Sequence, residues 1–184
     1  VWDGFHYGLD GTKKYFGVDQ VFSITELEKR LPDVLGGAEK IFYRMGEVPA
    51  RDKTLVKIFK NIGGARNKGG GLPTVVDVGE LIGEMRMIKD EYEIQAQRQA
   101  CAISAAGHVA GFKKCKSGMR EYELQAEIEY VFKKMGSERV SYSTIVASGA
   151  NATVYHYLQN DQVMTDGQLV LVDAGAEFDH YCGD

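Results

Sequence analysis

A chain of 184 residues with Lys+Arg 22 against Asp+Glu 26 carries a formal net charge of -4, which removes any electrostatic case for nucleic acid or an anionic membrane surface as partner. Hydrophobic residues make up 44%, the content of a packed globular protein of one ordinary domain or two small ones rather than of a disordered chain. The longest apolar runs, such as 145–147 and 169–172, fall far short of the roughly 20 residues a membrane span requires, so a small substrate or another subunit is the expected partner.

The opening Val1-Trp2-Asp3-Gly4 has neither the basic start nor the apolar centre of a signal peptide, and no initiator Met precedes it, so the chain reads as an excerpt or as a protein whose beginning was removed. Ser23, with Glu26 three residues on, has the pattern of a capping box, and Leu27, Leu31 and Leu35 follow at helical spacing until Gly36 and Gly37 stop the run. Ile41, Phe42 and Tyr43 read as a short strand. Leu55, Ile58, Phe59 and Ile62 mark one face of a second helix ending at Gly63 and Gly64. From Gly63 to Pro73 the five glycines, with Arg66 and Lys68, favour a flexible connection; no Lys-Ser/Thr follows Gly69-Gly70-Gly71, so a phosphate cradle is not indicated. The first part is mixed α/β, and a domain boundary is expected near residue 80.

Asp90 and Glu93 form a second capping signal, after which Ile94, Cys101, Ala105, Val109 and Phe112 trace an apolar stripe as far as Lys113 and Lys114, whose charges suit a helix C-terminus. Cys101 and Cys115 are expected to be small buried side chains of this region, and with Cys182 they make an odd set without a C-x-x-C pair, which points to a reducing, cytoplasmic setting. After Ser117-Gly118 another helix is expected, with Tyr122, Leu124, Ile128, Val131, Phe132 and Met135 inward and Gly136 as its stop. The remainder reads as strands over 140–147, 153–158 and 168–173, separated by turn residues, so the second part is α+β.

The final stretch, Val170-Leu171-Val172-Asp173-Ala174-Gly175 to Cys182-Gly183-Asp184, opens hydrophobic and closes acidic. Asp173 ends a run of branched apolar residues, where an isolated charge is costly unless paired or bound to a metal. A tight reversal around Phe178 and Asp179 would set Asp173 opposite Asp184 with Cβ atoms roughly 5 Å apart, and a divalent cation between them would turn repulsion into attraction. A turn at Asp179-His180 would shift that register. Taken alone, the pair is equally consistent with a turn cap at Asp173 and a solvated loop end at Asp184.

The wider pattern narrows the choice. Met87-Ile88-Lys89, Ser117-Gly118-Met119, the run from Ser143 to Asn151, His156-Tyr157, Asp173-Ala174-Gly175 and, eleven residues beyond Asp173, Asp184 after Gly183 together resemble the catalytic domain of the pita-bread metallopeptidases, in particular the aminopeptidase P family. The resemblance implies the first part of a pita-bread catalytic domain over 81–184. Residues 1–80 are similar to the later portion of the creatinase-like α/β N-terminal domain that precedes it.

In that family two aspartates, a histidine and two glutamates hold two metal ions. The resemblance therefore implies that Asp173 binds one ion and Asp184 bridges both, that the other three ligands lie beyond residue 184, and that this portion alone is inactive. Hard oxygen ligands of this kind suit manganese. His156 matches the family histidine that contacts the substrate peptide and hydrogen-bonds developing charge. Trp2 matches a tryptophan that reaches a neighbouring subunit's active site, which implies a homo-oligomer. His6 and His108 read as ordinary surface or interface histidines, and His180 and Cys182, inside the metal hairpin, as side chains aimed away from the ions.

The implied activity is release of the N-terminal residue from peptides with proline in second position. The alternatives are a prolidase of the same fold, a peptide-binding pita-bread domain without catalysis, and a creatinase-type hydrolase without metals.

Overall fold

The structure, a computed structural model, describes residues 4–65 and 72–184. The chain forms two compact units, Val1–Met87 and Ile88–Asp184. Trp2 and most of the glycine-rich connection lie outside the described residues. Among the described residues no helix is long and apolar enough to cross a membrane.

In the first unit a helix that sequence patterning missed, α1 (Gly8–Phe16), precedes a 3-10 turn (Ile24–Glu26) that runs into α2 (Leu27–Leu35). The Ser23 side chain accepts from the Thr25 amide, so it caps the 3-10 turn and not a capping box. Then follow β1 (Lys40–Phe42), α3 (Pro49–Ala65), β2 (Thr74–Val76) and α4 (Val78–Met87), with β1 and β2 parallel in the register Ile41↔Val75. Leu55, Ile58 and Ile62, on the face of α3 expected from their spacing, are buried in this unit. The glycines at 63 and 64 do not stop α3, which continues to Ala65. The boundary expected near residue 80 falls inside α4, whose ten residues carry the chain to Met87 before the units separate.

The second unit is built on two helices, α5 (Glu91–Lys114) and α6 (Glu121–Lys134). Asp90 and Glu93 form the expected reciprocal capping box, which satisfies amides that the first turn leaves free. The face that α5 buries is not the stripe of larger apolar residues. Cys101, Ala105, Val109 and Phe112 are exposed, and Ala96, Ala100, Ile103, Ser104, Gly107 and Gly111 are buried instead.

The reason is close packing. On α6, Leu124, Ile128 and Phe132 are buried, and their bulk fills the shallow face of α5: a Cβ at Gly107 would lie 2.2 Å from the Phe132 ring. Burying each of those three side chains contributes about 1.5–3 kcal/mol. Tyr122 and Met135, also expected inward, are exposed. Gly136 does end the helix, with φ 97. All three cysteines are exposed, so the small-buried-residue expectation for Cys101 and Cys115 fails for the same reason as the stripe they belong to.

Where one strand was expected over 140–147 there are two, β3 (Arg139–Val140) and β4 (Ile145–Ser148), followed by a second 3-10 turn (Gly149–Thr153). Residues 154–158 form no strand, because side chains take the place of a ladder beside β4. The Val146 amide donates to Asn160 Oδ1 at 3.0 Å and the Ser148 amide to Glu121 Oε1 at 2.7 Å. The chain then returns in β5 (Val170–Asp173), antiparallel to β4 with Ile145↔Asp173. A separate sheet has the order β3, β6 (Ala176–Phe178), β7 (Tyr181–Cys182).

The turn between β6 and β7 is Asp179-His180, both with positive φ (49 and 67), the geometry of a two-residue hairpin whose twist matches its strands. Gly183 then donates to Ala176 O and presses against α5, where a Cβ would meet the Ala100 carbonyl and the Ser104 hydroxyl at 2.6 Å. Gly183→Ala is therefore expected to destabilise the second unit by about 1–3 kcal/mol through overpacking against backbone that cannot turn aside. Urea denaturation followed by far-UV circular dichroism checks it, and an unchanged midpoint would refute the packing argument.

Candidate metal centre

Asp173 sits at the end of β5, half-buried, with its strand partner Ile145 in the core. Asp184 follows Gly183 at the end of the hairpin. The observed pairing Glu177↔Cys182 and Phe178↔Tyr181, continued by the Gly183 amide on Ala176 O, brings Asp184 level with Gly175 and not with Asp173. The face-to-face register of Asp173 and Asp184 considered from sequence is thus not the one formed, because the turn is at Asp179-His180. The shift is by two residues, which preserves strand parity.

The two carboxylates nevertheless converge on one group. Tyr142, in the segment between β3 and β4, donates its hydroxyl to Asp184 Oδ1 at 2.6 Å. Burial pushes this phenol well above its ordinary value of 10.0, and hydrogen bonding to both Asp173 and Asp184 pushes it the same way. The Tyr142 side chain therefore remains a neutral donor between two anions. Ser141 braces the same place: its amide donates to Gly175 O at 2.8 Å and its hydroxyl to Gly183 O at 3.1 Å.

No ion pair to Asp173 or Asp184 occurs among the described residues, so their negative charge is unbalanced by any cationic side chain. Hard oxygen donors with excess negative charge fit a hard divalent cation. Among the described residues no three His, Cys, Asp or Glu side chains gather as a metal site, so Asp173 and Asp184 stand there as a pair of candidate ligands.

The hairpin is tied to the start of α5. Tyr181 donates to Glu93 Oε1 at 2.7 Å, Glu93 Oε2 accepts from the Asp90 amide at 2.8 Å, and Tyr92 donates to Asp179. His180 is exposed in the turn, with Nδ1 4.0 Å from Glu177, and Cys182 is exposed. His108, expected to be an ordinary surface or interface histidine, is half-buried in this chain, with its Nε2 2.8 Å from Ala174 O, one residue from Asp173.

His156 is exposed on the segment after the 3-10 turn of 149–153, beside the buried Tyr157. Two residues that sequence reasoning passed over organise this segment. Glu121, fully buried at the first turn of α6, accepts four bonds: from the Ser148 amide and hydroxyl at 2.7 Å each, from Tyr157 at 2.8 Å and from the Gln162 amide at 3.0 Å. Asn160, with φ 47, donates to Thr144 O and Gln125 while accepting from Val146. A carboxylate in the first turn of a helix reads from sequence as a helix-dipole partner; only its burial reveals the other role.

Residues 95–184 match Metallopeptidase family M24 and residues 1–43 match the Aminopeptidase P, N-terminal domain. The chain is 36% identical to an Xaa-Pro aminopeptidase of Escherichia coli over its whole length, which is 42% of that protein. It is 30% identical to a mitochondrial intermediate cleaving peptidase 55 of Arabidopsis thaliana, of which it covers 36%. The structure of Escherichia coli aminopeptidase P in its low-pH form superposes with a TM-score of 0.94 at 35% identity, over 100% of this chain and 42% of that one. The chain thus spans about two fifths of the length of these relatives.

Burial raises the pKa of Glu121, but the bonds from Ser148, Gln162 and Tyr157 outweigh it and hold the carboxyl below its ordinary 4.5. Burial and the Glu121 carboxylate push Tyr157 up to about 12. Folding therefore favours ionised Glu121, and this stabilisation is complete above the ordinary value and lost as pH falls through the lower folded value. Glu121→Gln should cost about 1–3 kcal/mol at neutral pH, since an amide nitrogen must then face a donor. The difference should shrink at about pH 3. Thermal denaturation of both proteins at the two pH values measures this, and an equal difference at both would refute it.

Proposed function

We propose that this chain is a portion of an Xaa-Pro aminopeptidase, because residues 95–184 match Metallopeptidase family M24 and the chain as a whole is similar to Xaa-Pro aminopeptidases. The enzyme would release the N-terminal residue of peptides with proline in second position. The observation that carries the reading is the convergence of Asp173, at the end of β5, and Asp184, two residues past β7, on the single hydroxyl of Tyr142.

In this reading Asp173 and Asp184 are two of the ligands of a pair of divalent ions, manganese by preference, and three more protein ligands lie beyond residue 184. When bound, such ions supply Lewis acidity for the peptide carbonyl and lower the pKa of a water. The residues of this chain act around them. Tyr142, held neutral, donates toward the carboxylates and fixes their orientation. Ser141 and Gly175 keep β5 and the hairpin at contact distance. His156, exposed to incoming peptide, donates a hydrogen bond to the carbonyl on which charge develops. A polypeptide of residues 1–184 alone is expected to be inactive, because two carboxylates do not complete the ligand set.

Trp2 as a contact to a neighbouring subunit, and with it a homo-oligomer, belongs to the same proposal, as does a cytoplasmic setting. Three exposed thiols outside any C-x-x-C pair support a reducing compartment. The relative from Arabidopsis thaliana, named as mitochondrial, makes an organelle the competing address.

The full-length protein, supplied with manganese, is expected to cleave tripeptides and longer peptides with proline second. Asp173→Asn should lower that activity by at least about 100-fold while leaving the fold intact. Cleavage confined to Xaa-Pro dipeptides would instead identify a prolidase, and no metal-stimulated cleavage of either would remove the aminopeptidase reading. Chromatographic product analysis on peptides of graded length distinguishes the outcomes.

A further inference from the structure

One buried group is unused by the chemistry above and yet touches the segment that carries it. Glu121 lies at the start of α6, and all four of its donors come from residues 148–162. Its Oε1 takes the end of β4 at Ser148, and its Oε2 takes Tyr157 and the Gln162 amide. His156 lies between those anchors, one peptide bond from Tyr157. The Tyr157 ring is 7% exposed and packs with Ile145 and Ala147 of β4, while His156 is exposed. Ile145 is in turn the strand partner of Asp173.

We propose that Glu121 is a positioning residue for the reaction, holding the segment that carries His156 in fixed register with the strand pair that ends on Asp173. The two routes run through different oxygens. From Oε1 the path is Ser148 and β4, whose other end faces Asp173; from Oε2 it is the Tyr157 hydroxyl and then His156 itself. A carboxylate suits this task because its two oxygens accept from several directions at once, and charge makes each bond stronger than a neutral one. Asn160 reinforces the arrangement from behind, joining Thr144 and Val146 of the β4 region to Gln125 of α6. Because displacement of a catalytic group by about 1 Å costs on the order of 100-fold in rate, such an anchor acts on turnover as well as on folding.

The inference rests on the aminopeptidase reading of His156, so its test has one arm that needs no turnover. Tyr157→Phe keeps the buried ring and deletes only the hydroxyl, which lies 2.8 Å from Glu121 Oε2 and, less closely, 3.3 Å from Asp161 Oδ1, and so avoids the folding defect that Glu121→Gln risks. In the full-length protein, amide hydrogen exchange of residues 149–160 is expected to quicken by about tenfold in Tyr157→Phe, with α5 and α6 unchanged. On an Xaa-Pro tripeptide with manganese, kcat is expected to fall about tenfold with KM altered less than about twofold. That loss is expected to vanish when Tyr157→Phe is made in a His156→Ala background, since both changes then act through the same side chain. Unchanged exchange in 149–160, or the same fold-loss in both backgrounds, overturns the proposal. If the wild type cleaves no Xaa-Pro peptide, the aminopeptidase reading fails by itself, and the exchange measurement alone decides whether Glu121 anchors this segment.

Discussion

Gly183 lies against the backbone of α5 with no space for a side chain, and the rest of the site is arranged around that contact. Ser104, whose hydroxyl donates to Ala100 O, accepts the Ala176 amide, so β6 is held to the helix beside the place where Gly183 rests. A second exclusion works inside the hairpin itself, where a Cβ at Gly175 would lie 2.0 Å from the Gly183 carbonyl oxygen. The requirement at both positions is steric and not conformational, since neither glycine has a positive φ. Asp184 is the next residue after one of these contacts, and Asp173 lies two residues before the other. Close packing therefore sets where both carboxylates stand.

The acidic side chains of the second unit divide by how their charge is met. Glu121 is fully buried and accepts four hydrogen bonds, so its desolvation is offset locally and it remains ionised. Asp173 and Asp184 share a single phenol. A divalent cation would relieve the repulsion between them more effectively than further hydrogen bonds, because it reverses the sign of the interaction. Fully satisfied carboxylates serve the scaffold; under-satisfied ones, held rigidly, are where binding energy is available.

Much of this organisation was legible in the linear sequence. The capping pair Asp90 and Glu93, the stop at Gly136, the inward Leu124, Ile128 and Phe132, and the acidic ends of the last hydrophobic run all follow from local rules that need only neighbours within a few positions. The helix α5 defeated the same rules because its buried face is made of Ala, Ser and Gly, residues whose value lies in what they leave out. A hydrophobicity pattern ranks Phe112 and Val109 above Gly107 and Gly111. The partner helix reverses that order, since Phe132 and Ile128 need the room.

The register of the hairpin, the absence of a strand over 154–158 and the role of Glu121 could be decided only in three dimensions. The turn at Asp179-His180 moves Asp184 to the level of Gly175, and neither residue type forces that choice over its neighbours. Asn160 and Glu121 take the amides of Val146 and Ser148, although each lies far from them along the chain. By itself the sequence determined which residues could serve as ligands and which elements would carry them, because residue chemistry and local periodicity are properties of short stretches. Only the tertiary structure decided that Asp173 and Asp184 meet at Tyr142, because that meeting depends on glycines pressed against distant backbone, and excluded volume has no signature in a linear pattern.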